Sequence, residues 1–254
     1  MGEFFVSRFS CPRAAAENRN HPHSNVAPAT PKELITTKNV HVDQALKTPQ
    51  FYLLWEILCL NVTAGIGVLG QASAMSQEMF HGSITPVAAA GFVGLLSLFN
   101  MAGRIIWAST SDFIGRRNTY MVFFLLGILL YAAVPTMAEI GSVALFVLCY
   151  AVILSMYGGG FATIPAYLKD IFGTRFVGAI HGRLLTAWSV AGVLGPVLVN
   201  YIRQYQIEHG VSNADAYTVT MYIMAGLLFV GFLCNVFMRP VREHHHMNAR
   251  EAEA

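Results

Sequence analysis

The stretch GRIIWASTSDFIGRRN, Gly103 to Asn118, sets one arginine inside an apolar run and then closes with a knot of Asp112, Gly115, Arg116 and Arg117. These residue types suit electrostatic binding rather than covalent chemistry. A guanidinium offers a planar fork of donors that matches a carboxylate. Placing one within a membrane helix costs roughly 3 kcal/mol, so Arg104 either faces a cavity or reaches back to the headgroups. In the knot, glycine permits a sharp turn and the arginines anchor at a membrane face. The carboxylate pairs with Arg116 or approaches a neighbouring helix N-terminus. The alternative is a topogenic loop with solvated charges.

Arg104 precedes Ser109 by one and a half helical turns, about 7 Å at 1.5 Å per residue. Asn100, one turn earlier, shares its face and favours a polar cavity. Tyr150 and Tyr157, spaced i, i+7, either wall such a cavity with Trp188 or pack between helices. Arg183 sits near the start of its span and suits an interfacial position. Asn61 and Gln71 suit hydrogen bonding between helices. Glu56, close to a span's start, suits a solvated or headgroup location. His244, His245 and His246 form a short polar run and not a designed metal site. We find no nucleotide-binding loop, no nucleophile with a paired base and no metal-ligand set, so neither an enzyme, a cofactor nor a resident metal is expected.

The elements that must position these groups follow from composition. Of 254 residues 55% are hydrophobic and 12% charged, and the mean hydropathy of +0.51 lies outside the range of soluble domains. The net charge of +2, without a basic stripe interleaved with aromatics, excludes nucleic acid. Cys11, Cys59, Cys149 and Cys234 are scattered and read as small hydrophobes. The first residues lack the uninterrupted apolar core of a signal peptide.

Crossing a bilayer takes about 20 apolar residues in a helix. Six stretches qualify: Gln50 to Ala74, Thr85 to Ala108, Thr119 to Met137, Ser142 to Tyr167, Ile180 to Tyr201 and Tyr217 to Met238. Short connections make neighbours antiparallel, and backbone satisfaction in lipid leaves an all-α polytopic membrane protein. Residues 1–47, rich in Pro, Asn, His and charge, read as a disordered or linker-like cytoplasmic tail, 48–239 as the transmembrane domain, and 240–254 as a cytoplasmic C-terminal tail. Lys and Arg gather in the two tails and in the second and fourth connections. The first and third connections carry none and the fifth only Arg203. Both termini are therefore expected in the cytoplasm, the chain being multi-pass in a plasma (inner) membrane. Gly65, Gly67 and Gly70 in the first span and Gly158, Gly159, Gly160 and Pro165 in the fourth occupy corresponding places in a three-plus-three inverted repeat.

Asp112-Phe113-Ile114-Gly115-Arg116-Arg117 resembles the Asp-Arg-x-Gly-Arg-Arg loop of the major facilitator superfamily, with Phe113 where that family usually has a basic residue. LKTPQFYLLWEILCLNVTAGIGVLGQ, the Gly91 to Asn118 region and GAIHGRLLTAWSVAGVLGPVL resemble its oxalate/formate antiporter family over helices seven to twelve, from about Lys47 to Met238. The resemblance implies half of a facilitator fold and transport by alternating access. An N-terminal six-helix half or a second copy completes the cavity, and the knot serves as a conformational latch. It also implies that Arg104 matches the arginine implicated in dicarboxylate binding. Trp188 stands where the oxalate carriers have a lysine, so one cation is left and a monocarboxylate or other small organic anion is expected over oxalate. The competing reading is a fragment or assembly partner without transport of its own. Mitochondrial carriers do not fit, because their threefold Pro-x-acid-x-x-base pattern does not occur three times.

Overall fold

A computed structural model of the chain describes residues 34–80 and 83–247. The expectations placed on Cys11, on the basic residues before Leu34 and on Arg250 lie outside them. The described chain is helical, its only β pairing an isolated bridge between Val40 and His246. After a one-turn helix α1 (Val42–Ala45) come α2 (Pro49–Met79), α3 (Pro86–Ile114), α4 (Arg116–Glu139), α5 (Val143–Phe172), α6 (Val177–Leu184), α7 (Thr186–Glu208) and α8 (Ala216–Val236). Thr48 and Thr85 cap α2 and α3 through their side chains, each ahead of a proline at a position whose N–H needs no helical partner.

Six helical segments, counting α6 and α7 together as Val177–Glu208, are long and apolar enough to cross a membrane. Most run past the expected ends. The fifth is not continuous: the helix breaks at Leu185, between α6 and α7.

Burial follows the inverted repeat. In the most apolar stretch of each span, 67% of α2 and 61% of α5 is buried, 22% of α3 and 22% of the α6–α7 span, 33% of α4 and 39% of α8. The closest packings obey the same exchange: α3 lies on α5 as α7 lies on α2, and α4 lies on α8. Both related crossings use reciprocal glycines. At α3–α5, a side chain on Gly103 would strike the Ser155 backbone and one on Gly158 the Asn100 backbone. At α2–α7, a Cβ on Gly67 would lie 3.0 Å from the Gly195 carbonyl oxygen, and one on Gly195 2.7 Å from that of Thr63. Small residues let these backbones touch, the contact on which helix association in lipid depends.

Residues 34–47, part of the expected disordered or linker-like tail, are tethered to the helical end. Thr36 N–H donates to the Asp170 carbonyl at 2.8 Å and Val40 N–H to that of Phe172 at 2.9 Å. Asn39 Oδ1 accepts from Thr174 and Arg175 N–H at 3.0 and 3.1 Å, satisfying donors between α5 and α6. Gly173 permits this approach with a φ of 83° and no side chain. The far end of the chain joins in, for Met247 N–H donates to the Asn39 carbonyl at 2.9 Å and Gln50 Nε2 to the Arg239 and Pro240 carbonyls at 3.2 and 3.0 Å. Long-range caps, invisible in composition, order these segments.

Candidate functional site

The α3–α5 crossing sets Arg104 opposite α5. Its guanidinium lies over the Phe161 ring, 5.0 Å from the centroid, within the range of a cation–π contact. Phe161 meets Trp188 edge to face at 4.7 Å, and Trp188 lies 5.6 Å from Tyr157, one turn before Phe161 on the same face of α5. The break at Leu185 places Trp188 in the first turn of α7, where its N–H donates to the Leu185 carbonyl at 3.0 Å. Three helices thus deliver one exposed arginine onto an aromatic shelf. Among the described residues no carboxylate forms an ion pair with Arg104.

Arg104, Tyr157 and Trp188, chosen from sequence, come together here. Phe161 was missed, although its i, i+4 spacing from Tyr157 was the available signal. Asn100 is half-buried one turn from Arg104, with its backbone pressed on Gly158. Of the two alternatives for Tyr150, the structure corrects the cavity wall in favour of packing between helices. It is fully buried, its hydroxyl directed at the Met75 and Met221 sulfurs at 2.9 and 3.3 Å and its ring packed on Phe146 at 4.6 Å. The stripe it shares with Tyr157 runs into the helical core.

The knot forms a corner. Gly115, at a φ of 87°, ends α3 and starts α4, a conformation that disfavours other residues. Arg116 pairs with Asp112 inside this bundle and also donates to Ser111 Oγ at 2.6 Å. Arg117 reaches across to α8 and donates to the Val236 carbonyl at 2.8 Å, supplying an orphan acceptor at that helix end. Asn235, absent from the sequence-based candidates, returns the bond to the Arg117 carbonyl at 2.9 Å and accepts from the Tyr167 hydroxyl at 3.0 Å. Phe113 is exposed and takes no part.

Arg183 is exposed, bonded to the Ala179 carbonyl at 3.2 Å, and borders an open pocket with Tyr52, Trp55 and Glu56. At the opposite end of the bundle Arg203 holds Glu78 with both arms of its fork, at 2.6 to 3.0 Å. No group of three His, Cys, Asp or Glu side chains among the described residues is arranged to hold a metal ion.

Residues 9–196 match the family described as the Major Facilitator Superfamily. The chain is 33% identical over 162 residues to an oxalate:formate antiporter of Oxalobacter formigenes, covering 64% of this chain and 38% of that protein. It is 22% identical over 169 residues to an uncharacterized MFS-type transporter, YhjX, of Escherichia coli, covering 64% of this chain and 41% of that protein. It is also 29% identical over 121 residues to apicoplast pyruvate carrier 2 of Toxoplasma gondii, covering 48% of this chain and 18% of that protein. The chain therefore spans well under half the length of these relatives. Its six apolar spans, its glycine corner and this match together make the chain a member of the major facilitator superfamily.

Proposed function

We propose that this chain is one half of a secondary carrier that moves a small organic anion across a membrane by alternating access. The observation that carries the reading is the Arg104 guanidinium, free of any carboxylate among the described residues and mounted on Phe161 beside Tyr157 and Trp188. Such a fork takes a carboxylate by paired charge-assisted bonds, and the rings present dry walls to the rest of a small substrate. With one cation and Trp188 opposite it, the site favours formate-like and pyruvate-like monocarboxylates over oxalate. Relatives named for oxalate, formate and pyruvate support the class.

The shelf lies on α3, α5 and α7, and α3 and the α6–α7 span are the least buried elements. A companion bundle, an N-terminal six-helix half or a second copy, covers this face and closes the chamber. Lys38, Lys47, Arg116, Arg117, Lys169, Arg175, Arg239 and Arg242 belong to the end where the chain's two described termini meet. That end is the cytoplasmic one in a plasma (inner) membrane. No covalent step is needed. The competing reading is a fragment or assembly partner with no transport of its own.

The test is uptake into proteoliposomes holding this chain with its companion, using labelled formate, pyruvate, lactate and oxalate. Saturable uptake of a monocarboxylate that Arg104→Gln abolishes supports the carrier. Uptake indifferent to Arg104 overturns the site, and no uptake of any anion leaves the assembly-partner reading.

A further inference from the structure

Helix α7 is fastened to α2 at three heights. At its middle the Gly67–Gly195 contact brings the two backbones together, and near its far end Arg203 grips Glu78 with both arms of its fork. The third tie lies at its start. The Trp55 indole N–H of α2 donates to Thr186 Oγ1 at 2.9 Å, and the same hydroxyl donates to the Arg183 carbonyl at 2.8 Å, across the break at Leu185. An indole N–H can only donate, whereas a hydroxyl both accepts and donates. The two bonds therefore run in one direction, from α2 through Thr186 to the last turn of α6.

Trp188 stands two residues beyond Thr186, in the turn that this tie holds. It is carried by the α2–α7 pair. Arg104, Tyr157 and Phe161 belong instead to the α3–α5 crossing, whose backbones touch at Gly103 and Gly158. At the site the two pairs meet through rings, Trp188 against Phe161 at 4.7 Å and against Tyr157 at 5.6 Å. Trp188 and the Arg104 guanidinium share Phe161 as a neighbour, so a displacement of Trp188 changes the room beside the guanidinium.

We propose that Trp55 and Thr186 form a pin that holds the first turn of α7 against α2 and, by fixing Trp188, sets the size of anion the site accepts. Both residues act through Trp188 and are positioning residues. The pin stands on its own; its effect on anion choice rests on the reading of Arg104 as an anion ligand.

Hydrogen exchange of the backbone amides from Leu185 to Ser189, measured on the assembled carrier in lipid nanodiscs, tests the pin. Trp55→Phe removes the indole donor and leaves the bond between Thr186 and the Arg183 carbonyl, and Thr186→Val keeps the side-chain shape but loses both bonds. Exchange is expected to quicken severalfold in each, the order that one hydrogen bond supplies, while Thr186→Ser, which keeps the hydroxyl, exchanges as the parent does. Unchanged exchange in Trp55→Phe overturns the pin, whatever Thr186→Val does.

Competition of unlabelled formate and pyruvate against labelled uptake reads the positioning role. With Trp188 released, the ratio of the two affinities is expected to move towards pyruvate, the larger anion, by about fivefold in Trp55→Phe and Thr186→Val, and to be restored in Thr186→Ser. A ratio that stays unchanged, or moves towards formate, overturns the positioning role. Should Arg104→Gln take up both anions normally, the anion-site reading falls while the exchange measurement still decides the pin.

Discussion

The Arg104 guanidinium rests over the face of Phe161, 5.0 Å from the ring centroid, and so is held against an aromatic shelf on α5. Ten residues separate Arg104 from the last residue of α3, about 15 Å of helix. An arginine that merely anchored the helix would have no need of that ring.

Arg104→Lys is the informative replacement. Lysine keeps the charge but loses the fork and most of the stacking. We expect apparent affinity for the best monocarboxylate to fall by about tenfold or more, ~1.4 kcal/mol, with membrane insertion unchanged. Phe161→Leu should give a smaller loss, since a cation–π contact at an exposed site contributes about 0.5–1 kcal/mol. Titration of uptake against substrate concentration checks both, and equal affinities in Arg104→Lys and the parent would refute fork recognition.

How the shelf is assembled explains what could be read in advance. The spans were legible because lipid demands long apolar helices, and the glycine clusters of the first and fourth spans because small residues let helices approach, though not which helix each cluster meets. Period alone does not say which neighbour a stripe meets, which is why the sequence leaves Tyr150 between a cavity wall and helix packing, and the structure sets it against Met75 and Met221. The break at Leu185 has no local sequence signal, there being neither Gly nor Pro between Leu184 and Ser189. Asn39 looked like tail because the donors it satisfies, on Thr174 and Arg175, lie far along the chain. The corner was half legible: its residues were found, but its partner α8 was not.

That corner yields the second prediction. Asn235 is fully buried and bonds both the Arg117 carbonyl and the Tyr167 hydroxyl. Asn235→Leu leaves the Tyr167 hydroxyl without its acceptor, a loss of about 1–3 kcal/mol. The midpoint of thermal unfolding in detergent should fall, and most of the loss should return in Asn235→Leu combined with Tyr167→Phe. Separate, additive losses would show that the pair does not act as a unit.

Asp112 is a different case, because its carboxylate is largely exposed while Arg116 beneath it is not. Surface pairs of this kind contribute about 0–1 kcal/mol, so Asp112→Asn should leave stability nearly intact. If the corner opens and recloses as access alternates, turnover should slow with little change in substrate affinity. Uptake kinetics separate the two parameters, and a change confined to affinity would argue against a latch.

At the α3–α5 crossing, Gly103→Ala sends a methyl group into the Ser155 backbone, which cannot rotate aside as a side chain would. Overpacking of this kind costs about 1–3 kcal/mol. The consequence reaches the site as well, for Gly103 immediately precedes Arg104 and a wider crossing lifts the guanidinium from Phe161. We therefore expect Gly103→Ala to lose stability and anion affinity together, while Gly94→Ala, on the same helix with open space around its Cα, loses neither. Thermal unfolding and substrate titration of the two variants, side by side, distinguish a crossing that positions the arginine from a helix that merely tolerates small residues.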